Sequence, residues 1–202
     1  YDTAVYNQQV SSGASVSYGM RFKLVRSSPP RKIIVLFVEP GSPADNANIA
    51  RGTEIVTVDG VDVVNGSDTN TLNDGLFPNA NNQNHTFRVI DAGSTNARTV
   101  TLKSATIAED PVQNTTYFTE TSTGDKVGYL TFNTFGTNTA EKALVDSFSS
   151  LANEGVSDLV LDLRYNGGGF LAISSQLAYM IAGPNNTSNQ VYYRTVFNDK
   201  YP

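Results

Sequence analysis

The residues best suited to chemistry lie at 159–170, LVLDLRYNGGGF, where an apolar run meets a charged pair, Asp162 and Arg164, and then Gly167, Gly168 and Gly169. Three glycines let the backbone turn sharply and expose bare N–H groups. Such groups can hold an anion, a carbonyl oxygen or a phosphate, and glycines after a strand can equally well just start a helix. Other chemistries are poorly supplied. The chain has no cysteine, so thiol nucleophiles, thiolate metal sites and disulfides are excluded. One histidine and scattered carboxylates offer no ligand spacing such as His-Glu-x-x-His, so neither a metal nor a cofactor is expected. A net charge of −5 with no Lys/Arg cluster argues against nucleic acid and anionic membranes, leaving peptides or small molecules as partners.

The elements that must position the glycines fall into two units, as 202 residues allow. Residues 1–16 form a lead-in without strong periodicity. YGMRFKLV then turns into a strand, SSPP breaks it, and IIVLFV at 33–38 is a second strand. In PGSPADNA, Ser42 is placed to cap a short helix, Pro43 suits its first position, and Asp45 lies near the positive end of its dipole. TEIVTVDGVDVV predicts a hairpin across Asp59-Gly60. A short helix around TNTLNDGLF and a polar NANNQN loop follow, and TFRVI pairs with RTVTLKSATI across DAGSTNA.

Residues 108–125 read as linker and edge structure, after which the pattern changes. KVGYLTF at 126–132 is a strand. Asn138 or Thr139 caps a helix with Glu141 in its first turn and Leu144, Phe148 and Leu151 at helical spacing, and Gly155 stops it. LVLDL is apolar enough for a strand buried on both faces. A second helix, with Leu171, Ala178 and Ile181 among its apolar positions, ends at Gly183-Pro184. Strand, helix, strand, helix predicts a βαβ layout with a parallel pair.

Tyr18-Gly19-Met20, the run EPGSPADNANIARGTEIVTVDGVDV and the closing strand pair together resemble a bacterial-type PDZ domain over residues 17–107. The resemblance implies a β-barrel with two short helices. It also implies a loop, Tyr18, Gly19 and Met20, that offers N–H groups to a peptide's terminal carboxylate, and a peptide that adds as a strand. Phe22 and Leu24 would line that groove from the strand, and Leu72 and Leu76 from the helix; the two leucines read equally well as ordinary core. Asn48-Ile49 and Thr53-Glu54 stand where the family more often has Gly-Leu and Gly-Asp.

KVGYLTFNTF and LVLDLRYNGGG, joined by one helix, resemble the protease core of the C-terminal processing, or tail-specific, serine peptidases, which place a PDZ unit just before it. The resemblance implies a serine endopeptidase acting through a Ser-Lys dyad, with Gly167 and Gly168 as oxyanion-hole candidates. Asp162 and Arg164 match the family's Asp-Leu-Arg and read first as structural. The family's serine and lysine would lie beyond Pro202: Ser174, Ser175 and Lys200 fit neither role, and His85 falls in the wrong unit for a triad. Residues 126–202 are therefore expected to be the N-terminal part of a peptidase core, inactive alone, with self-association of the truncated core. Substrates would be polypeptides taken by their C-termini. Richness in Asn, Ser and Thr points to an exported protein, periplasmic or in the cell envelope. Two other classes stand beside this one: a non-catalytic PDZ scaffold with a protease-like segment, and a nucleotide- or acyl-CoA-binding α/β protein, which lacks a P-loop or Rossmann glycine spacing.

Overall fold

The structure, a computed structural model, describes Thr3, Asn7, Ser11 and residues 13–200. Most of the expected lead-in lies outside the described residues, but Ser15–Ser17 form a strand, β1. The chain divides into two compact units between Asp110 and Pro111. No helix among the described residues is long and apolar enough to cross a membrane.

The first unit contains β2 (Met20–Arg26), β3 (Lys32–Val38), α1 (Pro43–Asn46), β4 (Glu54–Val58), β5 (Val61–Asp62), α2 (Thr69–Leu76), β6 (Asn84–Ile90), β7 (Ala97–Lys103) and β8 (Ala105–Ile107). Its main sheet runs β2-β3-β4-β6-β7, with β5 on β4, while β1 pairs antiparallel with β8 in a separate ribbon. The expected barrel is not closed by hydrogen bonds: β2 and β7 end the order instead of pairing with each other. Local chemistry explains the turns. Asp59 and Gly60 both take positive φ, 48° and 81°, as a two-residue hairpin turn demands, and Val58 pairs with Val61 across them. Ser42 accepts the Asp45 N–H at 3.3 Å and Pro43 opens α1. Asn48, where the PDZ resemblance has glycine, lies at φ 55°, a left-handed conformation that asparagine tolerates. Tyr18, Ile55, Val58, Phe87 and Leu102 lie in the core, with the Tyr18 and Phe87 rings edge to face at 5.3 Å.

The second unit contains β9 (Val112–Thr119), β10 (Lys126–Phe132), α3 (Thr139–Asn153), β11 (Asp158–Asp162), α4 (Leu171–Ala182) and α5 (Pro184–Thr187). β10 lies between β9, antiparallel, and β11, parallel. Within the stretch read as linker and edge structure, residues 112–119 form the edge strand β9, and every position from Lys126 to Phe132 finds a partner on it. β11, read as buried on both faces, is half open: Leu159 and Leu161 pack on the core from one face, while Val160, which points to the opposite face, is 45% exposed.

Leu130, Phe132, Ala140, Leu144, Ile173 and Leu177 make this unit's core. On α4 the buried positions are Ile173 and Leu177, whereas Leu171 and Ile181, expected among the apolar positions, are about half exposed. An all-round apolar helix leaves its buried face to be chosen by what it packs against. Leu144→Ala is accordingly expected to cost about 3 kcal/mol in urea unfolding and Ile181→Ala about 0.5 kcal/mol or less. Equal losses would contradict this placement of the core.

Candidate functional site

In the first unit a cleft of about 420 Å³ runs beside β2. Gly19, Met20, Phe22 and Leu24 line it along that strand, Leu76, Phe77 and Pro78 close it from the end of α2, and Val16 and Ile107 come from the β1–β8 ribbon. β2 ends its sheet, so the cleft lies along a strand edge of the kind to which an extended peptide can add.

Of the seven residues named from the sequence, five line the cleft, and Tyr18 and Leu72 go to the core. Tyr18 donates its hydroxyl to the Gly75 carbonyl at 2.9 Å, tying the loop before β2 to α2. Burial, and secondarily the negative charge of Asp59, push that hydroxyl well above the ordinary tyrosine pKa. Gly19 takes φ 78°, and a Cβ there would lie 2.2 Å from the Ser42 Cβ, so the position excludes a side chain. Its carbonyl accepts the Glu39 N–H at 2.7 Å and its own N–H donates to Ser17 Oγ at 3.2 Å.

Phe77 was not singled out from the sequence. It caps the end of α2, is 63% exposed, and sits 5.4 Å from the Phe22 ring across the cleft. Its signal was an aromatic residue just past a helix, which becomes meaningful only once β2 lies opposite. At the rim, Arg21 donates to Glu109 at 2.9 Å, and the buried Glu39 lies in the cleft wall.

In the second unit the glycine loop begins from a fixed strand end. Asp162 is buried and accepts from Tyr129 Oη at 2.5 Å, from Arg164 Nε at 2.9 and 3.0 Å, and from the Arg164 backbone N–H at 3.0 Å. These donors, the Arg164 guanidinium foremost, hold its carboxyl far below the usual range even though burial opposes ionisation. This is the structural role read for the pair.

Beyond it the loop docks on the end of β10. Gly167 N–H donates to the Asn133 carbonyl at 3.3 Å, Phe135 N–H to the Gly168 carbonyl at 2.8 Å, and Phe170 N–H to the Phe135 carbonyl at 2.8 Å. Gly168 N–H donates to Asn166 Oδ1 at 2.7 Å, and Asn166 Nδ2 to the Phe132 carbonyl at 3.0 Å. Gly167 and Gly168 thus face solvent while their N–H groups are engaged in intramolecular hydrogen bonds. Asn133, Asn166 and Tyr129 carried no signal of their own in the sequence.

The side chains set aside earlier take local partners. Ser174 Oγ shares a hydrogen bond with the Tyr192 hydroxyl, and His85 Nδ1 lies 2.6 Å from Asp59 Oδ2 in the first unit. Among the described residues no three His, Cys, Asp or Glu side chains gather as a metal site would require.

Residues 126–201 match the family model of peptidase family S41. The C-terminal processing peptidase, chloroplastic, of Tetradesmus obliquus is 32% identical over 158 residues, 75% of this chain and 34% of that protein. This chain is a relative of the C-terminal processing peptidases. The carboxyl-terminal-processing protease of a Picosynechococcus strain is likewise 32% identical over 150 residues, 71% of this chain and 33% of the relative. A solved photosystem II D1 C-terminal processing protease superposes with a TM-score of 0.56 at 26% identity, covering 87% of this chain and 47% of the other. The chain therefore spans about a third of the length of the curated relatives it matches.

The Asp162 network yields a pH test. A carboxyl held below its unfolded pKa stabilises the fold above about pH 4, and that contribution drains away as the pH falls below it. Asp162→Asn is expected to cost about 2 kcal/mol at neutral pH, kept modest by the exposed Arg164. In urea unfolding the gap between wild type and variant should narrow between about pH 5 and about pH 2. A gap independent of pH would contradict the assignment.

Proposed function

We propose that this chain is part of a serine endopeptidase that takes polypeptides by their C-termini in the groove beside β2 and cleaves them at a centre to which the glycine loop contributes. The observation that carries the reading is the cleft along an edge strand, lined by Phe22, Leu24, Leu76 and Phe77, in a chain whose later residues match family S41. In the first unit, here residues 17–107 as a PDZ-like domain, the peptide extends the sheet at β2 and its carboxylate meets the loop at Tyr18, Gly19 and Met20. Main-chain hydrogen bonds supply affinity, and the aromatic pair selects an apolar side chain.

In the second unit, Gly167 and Gly168 supply N–H donors to the carbonyl oxygen as it becomes negative in the tetrahedral intermediate. One such donor is worth about 3 kcal/mol of barrier. Serine attacks that carbonyl while a neutral lysine takes the serine proton, both residues lying outside 1–202, so these 202 residues alone do not hydrolyse peptides. The bare edge of β11 and the apolar surface at Val160 and Leu163 favour self-association of the isolated core. The richness in Asn, Ser and Thr supports an exported protein, periplasmic or in the envelope.

Peptides ending in an apolar residue, labelled for fluorescence anisotropy and supplied as the free acid and as the C-terminal amide, test the groove. The acid is expected to bind about tenfold or more tightly than the amide, and Phe77→Ala to weaken it about tenfold. Equal binding of acid and amide would remove C-terminal recognition, and an unchanged affinity in Phe77→Ala would remove the aromatic pair from the groove.

A further inference from the structure

Asn133 is 2% exposed, and neither its side-chain oxygen nor its side-chain nitrogen has a hydrogen-bond partner. Leaving a primary amide buried and unpaired is costly, so a fold that keeps one there needs a physical reason. Its main chain is fully used: the N–H donates to the Pro111 carbonyl at 2.8 Å and the carbonyl accepts from Gly167 at 3.3 Å. The preceding carbonyl, that of Phe132, accepts from Asn166 Nδ2 at 3.0 Å. Asn133 therefore lies on the strand end to which the glycine loop is anchored. The other half of the Asn166 amide holds Gly168 N–H at 2.7 Å, so one side chain covers a donor that the oxyanion reading needs.

We propose that Asn133 is a positioning residue for the glycine loop: when Gly168 N–H turns from Asn166 to a substrate carbonyl, the Asn133 amide takes up the hydrogen bond that Asn166 gives up. This rests on the reading of Gly168 as an oxyanion donor. A primary amide suits the exchange because it both donates and accepts, so Asn133 Nδ2 can donate to the Asn166 Oδ1 that Gly168 N–H has released. The unpaired amide raises the energy of the covered arrangement, and its pairing lowers that of the released one. The two arrangements are thereby brought close enough in energy for a ligand to choose between them.

Amide hydrogen exchange at Gly168, read by NMR on the 202-residue chain, measures the release directly. Asn166→Ala should expose the amide and abolish its protection. Asn133→Leu, apolar and of similar size, should slow Gly168 exchange about tenfold, the worth of one hydrogen bond no longer available to the released state. Unchanged protection in a folded Asn133→Leu chain overturns the proposal. Where loss of amide dispersion shows that this variant has not folded, Asn133→Ser decides: partial slowing supports the proposal and none overturns it. The same substitutions in a longer polypeptide that carries the nucleophile, assayed on a fluorogenic peptide, separate the two readings. A drop in kcat of about tenfold at unchanged KM supports both. Slowed exchange with unchanged kcat keeps the coupling of Asn133 to the loop and removes Gly168 from the oxyanion hole.

Discussion

The second unit depends on main-chain hydrogen bonds that dock the glycine loop onto the end of β10. Phe135 N–H to the Gly168 carbonyl and Phe170 N–H to the Phe135 carbonyl form a short parallel bridge. It closes only because Gly169 has no side chain: a Cβ there would lie 2.1 Å from the Phe135 carbonyl carbon, at a φ of 141° that side chains rarely adopt. With the bridge in place, α4 starts at Leu171 and brings Ile173 and Leu177 into one core with Leu130 and Phe132. Asp162, gripped by Arg164 and Tyr129, steadies the strand end that feeds the loop.

In the first unit the governing constraint is the edge strand β2. An unpaired edge invites both ligands and aggregation, and folds manage the second hazard with bulges and outward charges. β2 has both devices, shifting register against β3 at two places and exposing Arg21, Lys23 and Arg26. The loop before it is set from inside, by Tyr18 on the Gly75 carbonyl and by the steric demand at Gly19.

Both glycine turns share one feature. Gly19 N–H is covered by Ser17 Oγ and Gly168 N–H by Asn166 Oδ1, in each case a side chain two residues upstream. A donor covered this way costs the resting fold little, and exchanging such a bond for one to a ligand moves the balance by only about 1 kcal/mol. A carboxylate or a developing oxyanion makes a stronger, charge-assisted bond and can displace the side-chain oxygen.

What the residues determine by themselves is what depends on neighbours in the chain. The Asp59-Gly60 hairpin, the Ser42 cap, the helix carrying Leu144 and Leu151 and the strand-helix-strand order were all legible, because turn chemistry and periodicity act over a few residues. The resemblance of YGM and RYNGGG to known motifs located both candidate sites for the same reason. Tertiary structure alone decided what depends on which element lies opposite. It sent Tyr18 and Leu72 into the core and set Phe77 against Phe22. It made residues 112–119 a strand and left Val160 uncovered. It also tied up the N–H of Gly167 and isolated the Asn133 amide, since these hydrogen-bond partners are assigned by packing between segments some 30 residues apart.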